Sequence, residues 1–316
     1  MYKYFLISIQ KNKFKQYLFK FKIVTFLFLI FSSLLLVLYR YKKINQIKIC
    51  ICTIGKQENK YIKEYIEYYK NYGIDKIFLY DNNNINGEHF DIIIKEYINQ
   101  GLVELKNWRG IKSPQMRIYH DCYKKNYNKF DWIIFNDIDE YLYLKNYNNI
   151  KKFLNKPRFK KCENIQLNWL LYTDNNSLYY KNESLEKRFI EKDPIANQRK
   201  ISKHSNGKSI LRGNIPNIKI TNFHCISDNL KTCDGFGIER EFLKPDYKYY
   251  YFKHYYCKST EEFIEKLKKG DVFIVKNEFK IKFYFGYNKI TLKKLNYIKK
   301  ETGENLSEYE NSLLIK

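Results

Sequence analysis

Two aspartates one residue apart, Asp137-Ile138-Asp139, follow directly on the apolar run Trp132-Ile133-Ile134-Phe135. A short run of that kind reads as a strand buried on both faces, so the acidic turn behind it is held on a rigid element. Carboxylates placed this way can share a hard cation. Mg²⁺ or Mn²⁺ prefers oxygen ligands and commonly bridges one or two carboxylates to substrate phosphates. A lone D-x-D turns up about once by chance in a chain of this length, with a solvated acidic turn as the alternative. Its place at a strand end is what argues for a metal.

The elements that must position this turn alternate in type. Ile47 to Ile54 reads as a buried strand, and Glu58 to Tyr72 as a helix with Tyr61, Ile62, Tyr65, Ile66 and Tyr69 on one side, closed by Gly73. Lys76 to Tyr80 is a second strand ending at Asp81-Asn82-Asn83-Asn84, Phe90 to Gln100 a helix, and Leu102 to Leu105 a third strand. Pro114 to Tyr127 is a helix, and Trp132 to Phe135 the fourth strand. This order predicts an α/β fold with a mostly parallel sheet flanked by helices, whose ligands lie beyond the carboxyl ends of the strands. Asp81 and the Asp137/Asp139 turn both fall at such ends. There is neither a Gly-rich phosphate loop nor a G-x-G-x-x-G.

Ahead of this domain, Ile23 to Tyr39 is an uncharged apolar run at the short end of what spans a bilayer. Lys3, Lys11, Lys13, Lys15, Lys20 and Lys22 precede it, against Arg40, Lys42 and Lys43 after it, which favours a cytoplasmic N-terminus. A cleaved signal peptide is the rival, but the run lacks a small-x-small exit site. The layout read here is a basic tail (1–22), a transmembrane signal-anchor (23–39), a stem (40–46), a catalytic domain (47–295) and a peripheral C-terminal tail (296–316). The net charge of +24 would suit a polyanion, yet the lysines are spread along the chain, as compositional bias would leave them. The seven cysteines lack paired C-x-x-C spacing. Cys50 and Cys52 read as core fillers. In an oxidising compartment a disulfide can form among Cys162, Cys225, Cys233 and Cys257.

Several segments in order resemble one family. They are Lys56 to Asn83 with Glu58, Tyr61, Glu64, Gly73 and Asp81; Gln115-x-x-x-Tyr119-x-Asp121-Cys122; and Asp131 to Leu142 around the acidic turn. Trp169, Arg188-Phe189, Lys208 to Arg212, His224, and the block from His254 through Lys258, Glu262 and Lys266 to Gly270 complete the set. Together, over residues 47 to 270, they resemble glycosyltransferase family 92 and related family 2-like transferases. Tyr172-Thr173 stands where that pattern has Phe-Gly. The resemblance implies a GT-A fold, a nucleotide-sugar donor, a Mn²⁺-type (or Mg²⁺) cofactor and inversion at the anomeric carbon. A hexose moved to a glycan or glycoprotein acceptor is implied, with UDP-galactose the first donor to try. It also implies type II topology with the catalytic domain in a Golgi-like lumen.

Under that reading His224, or its rival His254, joins Asp137 and Asp139 as the third metal ligand. Lys208 and Arg212 are candidates to clamp the diphosphate, Arg in bidentate fashion. Asp81 suits a hydrogen bond to ribose or uracil, Thr53 and Glu58 can reach the nucleotide, and Asp174 is the candidate general base. Each also has an ordinary structural alternative as a turn, strand or surface residue. The competing function is a membrane-tethered polyanion or nucleic-acid binder without catalysis, which predicts salt-sensitive binding and no metal requirement.

Overall fold

The computed structural model describes residues 21–39, 46–194, 207–222, 224, 229–239, 245–269 and 277–314. Most of the basic tail and stem, and Cys225, lie outside them. The chain divides into two compact units, Met1–Ile47 and Lys48–Lys316. In the first, helix α1 (Phe21–Tyr39) is long and apolar enough to cross a membrane, a test that a signal sequence also passes.

The second unit opens with β1 (Ile49–Gly55), α2 (Ile62–Asn71), β2 (Lys76–Asp81), α3 (Phe90–Ile93), α4 (Lys95–Asn99), β3 (Val103–Asn107), α5 (Gln115–Asn126) and β4 (Trp132–Phe135). There follow β5 (Glu140–Leu144), α6 (Ile150–Leu154), β6 (Asn164–Leu171), α7 (Leu185–Arg188), β7 (Gly207–Arg212), β8 (Thr232–Cys233) and β9 (Tyr250–His254). The described residues close with α8 (Thr260–Lys269), α9 (Asn277–Tyr287), α10 (Leu292–Thr302) and α11 (Ser307–Leu314). The helix predicted at 90–100 is split at Ile94, and the one predicted from Glu58 begins at Ile62.

Among the described residues nine strands form one sheet in the order β3-β2-β1-β4-β7-β6-β9-β5, with β8 paired to β6 off that path. The first four strands are parallel, as the alternation of strand and helix predicts. The sheet as a whole is mixed, not mostly parallel. β7 runs antiparallel to both β4 and β6, and β5 antiparallel to β9. The short link after β4 keeps β5 from extending the parallel set. Only residues 136–139 separate β4 from β5, far fewer than the dozen a parallel crossover needs. β5 therefore leaves β4 and pairs with β9.

The core on one side of the parallel strands is built by Cys50, Cys52, Phe78, Tyr80, Ile133 and Phe135, alternate residues of β1, β2 and β4 that meet Ile118, Tyr119, Cys122 and Tyr123 of α5. Cys52 is more than a filler there. It forms a disulfide with Cys122, tying β1 to α5. A second disulfide, Cys162–Cys233, joins the entry of β6 to β8, while Cys50 and Cys257 are buried thiols. A separate core gathers Phe263, Ile264, Leu267, Ile281, Tyr284, Leu295, Ile298 and Leu306 from the C-terminal helices. The chain beyond Asn296 is therefore not a peripheral tail. Ile298 is fully buried, and the boundary predicted at residue 295 would cut α10 through its apolar face.

Candidate active site

The acidic turn is clamped from below before any of its carboxylates can act. Asn136 is fully buried. Its amide oxygen accepts from Tyr65 Oη (2.8 Å), and its Nδ2 donates to Tyr69 Oη (2.8 Å) and to the Glu140 carbonyl (2.9 Å). Tyr65 and Tyr69 lie one turn apart on α2, so one helix face fixes the turn. Ile138 packs so close to the end of β1 that a Cβ at Gly55 would lie 2.7 Å from its Cδ1 and from the Phe90 ring. Any larger residue there would force the buried Phe90 ring and the end of the Ile138 side chain to shift.

The two aspartates then part company. Asp137 is half-buried and held by three side chains: Lys208 Nζ lies 2.8 Å from its Oδ2, and Gln115 Nε2 and Tyr119 Oη lie 3.1 and 3.3 Å from its Oδ1. Gln115 and Tyr119 are one turn apart on α5, which is why they occur at that spacing. Because β7 is antiparallel to β4, Lys208 at the start of β7 comes up against the end of β4. Asp139 faces the other way. Its Oδ1 lies 3.6 Å from His254 Nε2 and its Oδ2 3.4 Å from Lys266 Nζ. Glu140 sits directly opposite His254 in the β5–β9 ladder and 3.6 Å from Lys208.

Ligand atoms of Asp139, Glu140 and His254 all lie within 4.8 Å of one another, and all three residues are buried. Two of their polar atoms, Glu140 Oε1 and His254 Nδ1, have no hydrogen-bond partner among the described residues. Two carboxylates and an imidazole form a donor set that suits Mn²⁺ or Mg²⁺, and an unpartnered buried carboxylate oxygen is what such an ion would satisfy. Burial opposes ionisation of Asp139, but Lys266 and His254 outweigh it and hold its carboxyl well below the ordinary range. Burial lowers the His254 pKa in spite of Asp139. Burial also pushes the Glu140 carboxyl well up against the pull of Lys208. Lys208 stays charged because Asp137 and Glu140 outweigh its own burial.

Among the described residues His254 is the histidine grouped with Asp139 and Glu140. His224 meets the Trp169 ring edge-on (centroids 4.8 Å), while His254 packs on the same ring at 4.4 Å. Burial, helped by Lys208, pushes the His224 pKa down to about 3. Thr53 is fully buried inside β1. Glu58 is paired with Lys258 (2.9 Å) and Lys269 (3.3 Å). Asp81 ends β2 beside Gly55 and is held by Arg109 at 2.8 Å, whose guanidinium also donates to the carbonyls of Asn84, Ile85, Gly87 and Glu88. Arg212 does not belong to the site. It pairs with Trp132 at the far end of β4, stacks on that ring (4.2 Å) and donates to the carbonyls of Phe159 and Cys162. Four residues of strand, about 13 Å, separate it from Lys208. Asp174 is also elsewhere, buried against Lys294 (2.6 Å) and Tyr284 in the C-terminal core. The sequence reading missed Glu140, although it directly follows the acidic pair, and the clustering of lysines on α8.

Residues 45–306 match the profile of glycosyltransferase family 92. A family 92 protein of Ricinus communis is 26% identical over 98 residues, 31% of this chain and 17% of its own length. One of Arabidopsis thaliana is 29% identical over 98 residues, 30% of this chain and 16% of its own. The alignments thus span about a sixth of these relatives. Among solved structures, Staphylococcus aureus TarS 1-349 matches with a TM-score of 0.38 and 13% identity over 76% of this chain and 70% of that one.

Proposed function

The chain belongs to glycosyltransferase family 92, and from that premise we propose that its acidic turn serves a metal-dependent, inverting transfer of a hexose from a nucleotide sugar to a glycan. The observation that carries the reading is the trio of Asp139, Glu140 and His254 at the carboxyl end of β4, beside the ends of β1 and β2, where a GT-A sheet binds its donor. Asp139, Glu140 and His254 would hold the ion. A bound Mn²⁺ or Mg²⁺ supplies positive charge to the departing diphosphate. The chain's own residues do the rest. Lys208 and Asp137 fix the turn, Tyr65 and Tyr69 fix Asn136, and Arg109 fixes the loop behind Asp81 that faces the nucleoside. UDP-galactose is the first donor to try. Two disulfides, together with α1, support a type II protein whose domain lies in an oxidising lumen such as the Golgi.

The test is a UDP-sugar screen with the detergent-solubilised full chain, run with Mn²⁺ and with EDTA. One donor should be turned over, EDTA should abolish turnover and Mn²⁺ restore it, and Asp139→Asn or His254→Ala should cost about 100-fold or more. Undiminished turnover in EDTA by Asp139→Asn would remove the metal from the reading.

A further inference from the structure

The clamp that Arg212 cannot provide has a substitute on the other side of the acidic turn. A cleft of about 420 Å³ is lined by Gln57 and Glu88, in the loops that follow β1 and β2, and by Lys266, whose Nζ lies 3.4 Å from Asp139. Lys266 and Lys269 stand three residues apart on α8 and line this cleft with Lys258, which precedes the helix in a left-handed backbone conformation (φ +49°). The Lys258 ammonium lies 4.1 Å over the Tyr61 ring and that of Lys266 3.6 Å over the Tyr256 ring. Aromatic faces therefore help to fix two of the three cations.

Among the described residues Glu58 pairs with both Lys258 and Lys269, and Asp139 lies beside Lys266. Of the other acids lining the cleft, Glu262 pairs with Arg188 (2.6 Å), Glu265 with Lys60 (2.8 Å), and Glu88 accepts from the Asn59 N–H. Each of the two carboxylates would have less call on a lysine once a polyanion entered. Asp139 would turn to the metal and Glu58 would be displaced.

We propose that Lys258, Lys266 and Lys269 form the site for the diphosphate of the donor, with Glu58 as their resident counter-ion and not a donor ligand. The assignment rests on the transfer reading above and names the phosphate-binding residues within it. Three ammonium groups converging on one side of the metal trio are suited to receive charge as the nucleoside diphosphate leaves.

The experiment titrates UDP, GDP and ADP, then the tightest diphosphate against its own monophosphate, into the detergent-solubilised full chain with Mn²⁺ present. Lys266→Met and Lys269→Met should each weaken the diphosphate at least tenfold more than the monophosphate, and Lys266→Arg should retain most of the preference. A purely structural loss would weaken both nucleotides alike. Glu58→Gln, which frees two lysines, should tighten the diphosphate several-fold. Lysine variants that keep the wild-type ratio of diphosphate to monophosphate affinity would overturn the proposal, as would a Glu58→Gln chain that binds the diphosphate more weakly. The transfer reading survives either result provided that the wild-type chain turns over a UDP-sugar. A wild-type chain that binds none of the three diphosphates overturns both.

Discussion

Replacing Lys208 with methionine separates two roles that its neighbours could give it. The side chain is fully buried and its ammonium reaches Asp137 at 2.8 Å and Glu140 at 3.6 Å. Methionine keeps an unbranched chain of similar length, so the change removes charge with little loss of packing. Breaking a buried ion pair by deleting one partner costs about 3–5 kcal/mol, since the other charge stays behind. The Asp137 side chain is 33% exposed, which lets water repay part of that cost and sets the expectation near the low end, about 3 kcal/mol. Urea unfolding of the full chain in detergent, followed by tryptophan fluorescence, reads the loss as a lowered midpoint at unchanged slope. Trp169, whose ring lies 5.6 Å from the Lys208 ammonium, is a local reporter. Adding Asp137→Asn to Lys208→Met removes the stranded charge, so the two changes should couple by about 1–3 kcal/mol in the recovering direction. A Lys208→Met chain within about 0.5 kcal/mol of wild type, or strict additivity of the pair, would refute the assignment of Lys208 as an internal counter-ion.

Two further outcomes follow from the same geometry. Arg109→Ala leaves Asp81 and four carbonyls without their shared donor, so stability should fall by about 2–4 kcal/mol and the KM for donor should rise more than kcat falls; Arg109→Lys should not rescue, lacking the planar fork. Unchanged donor KM in Arg109→Ala would detach that loop from the donor. His224 titrates near pH 3 when folded against about 6.5 unfolded, so the unfolded state binds the extra proton between those values. Its contribution is complete above about pH 6.5 and declines as the pH falls towards 3, by about 2–3 kcal/mol at pH 4.5. Thermal melts at pH 7.5 and 4.5 should therefore differ less for His224→Phe than for wild type, and an equal acid sensitivity in the variant would count against it.

What could be read from the sequence was whatever depended on near neighbours. Trp132–Phe135 is a strand to the residue, because four buried apolar side chains and the sharp acidic turn settle it locally. The parallel half of the sheet follows from strand and helix alternating at regular spacing. The antiparallel half does not, since its pairing is decided by partners distant in the chain. Lys208 and Arg212 look equivalent in sequence, four residues apart and both cationic. On a strand that spacing is about 13 Å, so one lies under the acidic turn and the other at the opposite end of the sheet. The same blindness favoured Asp174, a polar loop acid in sequence, whose partner Lys294 lies on α10, the helix cut by the boundary predicted at residue 295.

Long-range pairing also explains why Asp137 and Asp139 do not share one set of partners. Alternation along an extended chain sends consecutive residues to opposite sides, but the turn between β4 and β5 breaks that alternation. It delivers Asp139 and Glu140, neighbours in sequence, to one histidine, and leaves Asp137 to Lys208. The β5–β9 ladder is what makes this stable, because Glu140 and His254 are directly paired in it and cannot separate without unzipping two strands. Asp137 then has a different task. Its carboxylate, with Gln115, Tyr119 and Lys208, ties the turn to α5 and β7, the two elements that flank it. A metal site needs its ligands held before the ion arrives; under the proposed transfer the more buried aspartate, Asp139, would be the ligand, while the more exposed Asp137 ties the turn. It follows that Asp137→Asn should keep the ion but loosen the turn, whereas Asp139→Asn should lose the ion from an intact turn. Metal affinity and unfolding midpoint, measured on both variants, separate the two roles.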